Sequence, residues 1–114
     1  MKSKDNILNL GDFRTVISGK PSKVFTGRDR GAEVRDKSKI DDLLNRYEKI
    51  ELVIPNDIYS ITPSFLEEFL KSAVEKYGRE ITTRIVLPQS NEYDLSEPME
   101  EAIDRILSTE SALN

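Results

Sequence analysis

Residues 49–55 read Lys49-Ile50-Glu51-Leu52-Val53-Ile54-Pro55. β-branched and aliphatic residues dominate this run, and Pro55 removes a backbone donor, so the segment predicts a strand ended by proline. Its near-continuous apolar character predicts a central strand covered on both faces, as in a parallel sheet with helices packed against it.

The chain downstream supports that reading. Leu66, Phe69, Leu70, Ala73 and Tyr77 recur at helical spacing, which predicts a helix over about Pro63 to Tyr77. Two starts compete for it: Thr62 as cap with Pro63 at the first helical position, or a Ser64-x-x-Glu67 capping box. Gly78 stands where a left-handed residue closes a helix. Ile81, Thr83, Ile85 and Leu87 then alternate with Thr82, Arg84 and Val86, predicting a strand that Pro88 terminates. After a loop from Gln89 to Leu95, Ser96 and Pro98 signal a last helix with Met99, Ala102, Ile103 and Ile106 on one face.

Upstream, Ile7, Leu8 and Leu10 predict a first strand ending at Gly11. Val16-Ile17 and Val24-Phe25 flank Ser18-Gly19-Lys20-Pro21-Ser22, and these turn residues predict a hairpin with a loose connection. From Gly27 to Tyr47 the pattern is mainly helical, with Ile40, Leu43, Leu44 and Tyr47 on one face. Val34 is out of phase with that stripe. Either the helix bends near Asp36-Lys37-Ser38, or its first turns bury a different face. Strands alternating with helices after a hairpin predict a single α/β domain over residues 1–114, with a mainly parallel sheet and about three helices.

Composition bounds the function. The 114 residues include 17 basic and 21 acidic side chains, a formal charge of −4, and no Cys, His or Trp. Disulfides, thiolate nucleophiles, Cys- or His-ligated zinc and His-dependent triads are thereby excluded within this chain. Charge is unevenly placed: residues 1–40 carry ten basic and five acidic side chains, residues 41–114 seven and sixteen. A basic front half suits phosphate or an acidic partner, or is neutralised by the rest of the surface on folding. The acidic balance argues against nucleic acid as a partner. No signal-peptide core and no membrane-spanning run is present, so the expectation is a cytoplasmic protein.

Chemistry would have to come from carboxylates, lysine or an oxygen-ligated metal. Asp41-Asp42, Glu67-Glu68 and Glu100-Glu101 are adjacent pairs on predicted helices, so their members diverge by about 100° and do not converge on one ion. No phosphate-binding P-loop or nucleophile elbow occurs. The expectation is a non-enzyme without metal or cofactor.

Two segments remain as candidate sites. In Thr26-Gly27-Arg28-Asp29-Arg30-Gly31, two glycines and two arginines precede a helix. Gly27, Arg28, Arg30 and Gly31 can approach a small anionic ligand or nucleotide, or simply form a tight strand-to-helix turn with solvated arginines. Ser60, Thr62 and Ser64 cluster at the mouth of the next helix, where a hydroxyl caps the helix or receives a phosphate.

Gly27-Arg28 to Gly31, then Arg35, then Ile50 to Ile54, then Ser60-Ile61-Thr62-Pro63-Ser64-Phe65-Leu66-Glu67-Glu68 resemble the STAS-like family of unknown function, small bacterial and phage-associated domains related in fold to anti-sigma-factor antagonists. The Ser-Phe-Leu-Glu-Glu run at 64–68 is the most specific part, and the resemblance covers about residues 23 to 87. It implies a STAS-like mixed sheet backed by helices. It also implies a regulatory protein-binding module whose phosphorylation or switch position is Ser64, with Thr62 as neighbour, and an ATP-binding kinase-like protein as partner. The partner-binding face would comprise Ser60, Thr62, Ser64 and Glu68, extended by Arg28 and Arg35. The chain departs from the antagonists in having Pro55-Asn56, with Asp57 one step later, where they carry an acidic residue, and in Pro63 before the serine. A structural subunit of a larger bacterial or phage assembly, docking through the last helix, is the further alternative.

Overall fold

A computed structural model describes residues 6–112. In chain order the elements are β1 (Ile7–Asn9), a 3-10 turn over Leu10–Phe13, β2 (Val16–Ile17), β3 (Lys20–Pro21), β4 (Val24–Phe25), α1 (Arg28–Ser38) and α2 (Ile40–Arg46). There follow β5 (Ile50–Val53), β6 (Ser60–Ile61), α3 (Pro63–Phe69), α4 (Lys71–Tyr77), a 3-10 turn over Gly78–Glu80, α5 (Ile81–Arg84), β7 (Ile85–Val86) and α6 (Ser96–Ala112).

β5 is the central strand of a three-stranded parallel sheet of order β1-β5-β7, with Leu8 opposite Leu52 and Ile50 opposite Ile85. Ile50, Leu52 and Ile54 point into the core. Glu51 and Val53 on the other face are only half-buried, so the strand is sealed on one face and partly on the other. That corrects the expectation of full cover on both.

The hairpin also differs from expectation. Val16 and Ile17 pair with Pro21 and Lys20, not with Val24-Phe25. Ser18 and Gly19 both have positive φ (53° and 77°), the two-residue turn whose twist suits a hairpin. Val24-Phe25 pairs in parallel with Ser60-Ile61 instead. The reason is burial. Both residues of β2 are exposed, so a partner strand there would leave Phe25 over solvent, whereas beside Ile61 its ring is buried against Phe65.

The three expected helices are present, and two of them are interrupted. Lys39 adopts a left-handed conformation (φ 57°), dividing the first into α1 and α2. The break reconciles the two readings of Val34: α1 buries Gly31 and Val34, and α2 buries Ile40 and Leu44. The second departs from helical geometry at Leu70, between α3 and α4, while Leu70 and Val74 still donate to Leu66 and Leu70. Phe65, Leu66, Phe69, Leu70, Ala73 and Val74 are buried along it, and the Phe65 and Phe69 rings stack at 5.6 Å.

The expected strand over 81–87 is mostly a helical turn. Thr82 and Thr83 donate from their hydroxyls to the carbonyls of Arg79 and Glu80, three residues back, and hold the chain in α5. Only Ile85 and Val86 join the sheet. Because β7 is so short, the backbone of β5 beyond it needs other partners. The Asn91 side chain supplies them, donating to Leu52 O and accepting from Ile54 N. The Tyr93 hydroxyl does the same for β6, accepting from Ile61 N and donating to Ile61 O. The loop before α6 thus substitutes side-chain groups for a missing strand.

α6 buries Met99, Ala102, Ile103 and Ile106 as the periodicity predicts. Among the described residues no helix is long and apolar enough to cross a membrane.

Candidate functional site

The site predicted around Ser60–Glu68 is built where α1 crosses α3. Thr62 is the cap: it is extended (φ −82°, ψ 154°), its Oγ1 accepts from Phe65 N at 3.3 Å, and Pro63 occupies the first turn. Ser64 therefore lies inside the first turn of α3 and is half-buried, as is Ser60 opposite Val24 in β6. Glu67 does not reach back to complete a capping box. It faces Arg28 and Arg105.

Gly31 determines how closely the two helices approach. A β-carbon on it would lie 2.1 Å from Phe65 O and 3.1 Å from Glu68 Cβ, so only glycine allows α1 to rest on the backbone of α3. That contact sets Arg28 and Arg35, one turn before and after Gly31, beside the acidic pair of α3. An Arg28 amino group lies 3.3 Å from Glu67 Oε1, and Arg105 from α6 approaches Glu67 Oε2 at 3.5 Å. Glu67 is only 17% exposed, so its charge is held between two guanidiniums under partial screening. Arg35 donates to Glu68 O at 2.6 Å and lies 3.6 Å from Glu68 Oε2.

Beside these pairs a cleft of about 300 Å³ opens between the α3–α4 segment and α6, bordered by Arg28, Glu67, Glu68, Lys71, Glu75 and Ile106. Three carboxylates face two cations there. Asp41, at the start of α2, is the one described side chain with a buried oxygen lacking a hydrogen-bond partner, its Oδ1. Burial pushes the Asp41 carboxyl above the usual aspartate range, and the positive charge of Arg35 opposes the shift.

The structure gathers Arg28, Arg35, Ser64 and Glu68 about one helix crossing and leaves Ser60 and Thr62 at its entrance. The glycine loop is distributed differently. Gly27 (φ 88°) turns the chain into α1, whereas Gly31 is within α1 and packed on α3. Arg30 is hydrogen-bonded to Glu33 and to the carbonyl of Phe13. Sequence reasoning missed Arg105 and Arg84. Arg105 lies 38 positions from Glu67, and the only local signal is its ion pair with Glu101, one turn back. Arg84 donates to the carbonyls of Leu44, Tyr47 and Glu48, closing the end of α2. Among the described residues no group of three or more potential ligands is arranged for a metal ion. Compared with known proteins, the chain matches no family model, no curated protein and no solved structure.

Proposed function

We propose that this chain is a non-enzymatic, cytoplasmic regulatory module that binds a protein partner through the face formed by the start of α3 and the flanking arginines of α1. The observation that supports it is the assembly of Arg28, Arg35, Ser64, Glu67 and Glu68 at one rigid helix crossing, set by Gly31. Charged groups held in fixed geometry on a packed scaffold select a complementary partner without reorganising.

The narrower form of the proposal is a switch. Ser64 lies one turn before Glu67 on α3, so a phosphate on it would add close to two negative charges beside a carboxylate already shared by Arg28 and Arg105. It would compete with Glu67 for those guanidiniums and change the charge of the binding face. The resemblance to STAS-like domains makes an ATP-binding, kinase-like protein the natural partner. The test is affinity purification of the tagged chain, with mass spectrometry of bound proteins and of the chain itself. Ser64→Glu is expected to weaken capture of the partner, and Ser64→Ala to leave it intact. Equal capture by both removes the switch, and absence of any stoichiometric partner removes the module. A sensor of small anions at Gly27–Gly31 has less support, because the Phe65 carbonyl occupies the approach to Gly31 and Arg30 is engaged within the fold.

A further inference from the structure

Two features of the surface lie outside that face, and neither is used by it. The first is the β2–β3 hairpin. Val16 and Ile17 are 63% and 65% exposed, and Tyr59, next to the hairpin base, is 72% exposed. Consecutive strand residues point to opposite faces, so Val16 and Ile17 present apolar side chains on both sides of the hairpin, and a groove that receives the hairpin buries both. The hairpin is not loose. Arg14 donates to Ser22 O at 2.8 Å and pairs with Asp57 at 2.6 Å, while Tyr59 N donates to Lys23 O. The pinned surface is also basic, since Lys20 and Lys23 are exposed on it.

The second feature is a groove of about 310 Å³ between β7 and the start of α6. Ile85, Leu87, Leu95 and Met99 line it, and the exposed Asp94 and Glu100 border it. Val86, between two of the lining residues on β7, is 42% exposed. Asp94 accepts from both the backbone N–H and the hydroxyl of Ser96, and those bonds hold its carboxyl below the usual range, so the border stays charged.

We propose that the basic, apolar β2–β3 hairpin of one copy docks into the acidic-bordered groove between β7 and α6 of a second copy. Charge selects this pairing over the other self-contacts: hairpin against hairpin sets lysines together, and groove against groove sets carboxylates together. Each surface has apolar side chains to bury, and the exposed Lys20 and Lys23 of one are opposite in sign to the exposed Asp94 and Glu100 of the other, while the carboxylate of Asp57 is taken up by Arg14. The contact is therefore between unlike surfaces, and it closes as a reciprocal dimer or propagates as a chain, depending on the rotation between copies. The uneven charge of the sequence, basic before residue 40 and acidic after it, has a structural use on this reading.

The experiment is sedimentation of the full chain at up to about 0.1 mM, in low and in high salt. The wild-type chain is expected to sediment above its monomer mass of 13.0 kDa in low salt and to dissociate as salt rises. Lys20→Glu with Lys23→Glu, and separately Glu97→Lys with Glu100→Lys, are each expected to be monomeric; Glu97 is the exposed acidic residue in the first turn of α6, one helical turn before the border residue Glu100. Mixed in equal amounts they should associate, because the acidic hairpin of one now meets the basic groove border of the other. Ile17→Ser, which leaves every charge in place, should weaken self-association at least tenfold. These positions are exposed, so each variant should keep the wild-type circular dichroism spectrum and melting temperature. A monomeric wild-type chain, charge variants that still self-associate, or a mixture that stays monomeric overturns the proposal.

Discussion

Replacing Gly31 by alanine sets two effects against each other, and their sum has a definite sign. In an exposed helix the change favours folding by roughly 1 kcal/mol, because alanine loses less backbone freedom than glycine. Here the new methyl would stand 2.1 Å from Phe65 O and 3.0 Å from Phe65 C. Backbone atoms of a buried helix cannot rotate away as a side chain can, so α1 must lift from α3 by about 1 Å to restore van der Waals contact. Lifting it loosens Val34 against the core and draws Arg28 and Arg35 away from Glu67 and Glu68. Overpacking costs typically about 1–3 kcal/mol, and a clash at 2.1 Å with fixed backbone belongs at the top of that range or above it, so the propensity gain offsets only part of the cost. We expect a net loss of about 2 kcal/mol, read as a lower urea midpoint with an unchanged m-value and a melting temperature lower by on the order of 5–10 °C. Lys37→Ala, exposed on the same helix, should move either quantity little. A Gly31→Ala chain as stable as wild type, or more so, would show that α1 and α3 do not pack backbone to backbone. The placing of Arg28 and Arg35 beside Glu67 and Glu68, on which the proposed binding face rests, would fall with it.

Other outcomes follow from single contacts. Thr62→Ala removes the cap of α3 and should cost about 1 kcal/mol in urea denaturation, with Thr62→Ser restoring most of it and Ser64→Ala falling within about 0.5 kcal/mol of wild type. Tyr93→Phe leaves Ile61 N–H and C=O without their partner; a loss of about 1–2 kcal/mol and faster hydrogen exchange at Ile61 are expected, and unchanged exchange would refute the bridging role. Asp41 has a raised folded-state pKa, so protonated Asp41 contributes stability that is present below its unfolded pKa and is lost as pH rises through the folded value. Asp41→Asn should therefore be more stable than wild type at about pH 7, with the difference closing at about pH 3, as measured by urea midpoints at both. A constant difference across that range would refute the burial argument.

The parts of this chain legible in the sequence are those whose signals repeat over short distances. The stripe Met99, Ala102, Ile103, Ile106 lies on one face of any helix those residues form, and α6 buries all four. Thr62-Pro63 starts α3 because a hydroxyl acceptor and a preset φ act within one turn. The apolar run Ile50 to Ile54 became the central strand because it is the chain's most continuous apolar segment of strand length. The candidate face was legible as residue types, Arg28, Arg35 and Glu68, without their partners.

Tertiary contacts decided the rest. The alternation over 81–87 is equally a strand or a turn of helix, and the Arg79 and Glu80 carbonyls, with the fit of Ile81 into the core, chose helix for its first half. Val24-Phe25 read locally as the second arm of a hairpin, but the free energy of burying Phe25 lies beside Ile61, 36 residues away. Gly31 read as part of a loop because no local pattern records that another helix's carbonyl will lie where its side chain would be. Period and capping act over a few residues of one chain segment. Strand partnership, close helix approach and the Arg28–Glu67–Arg105 arrangement depend on which distant surfaces meet, and only the folded core brings those surfaces together.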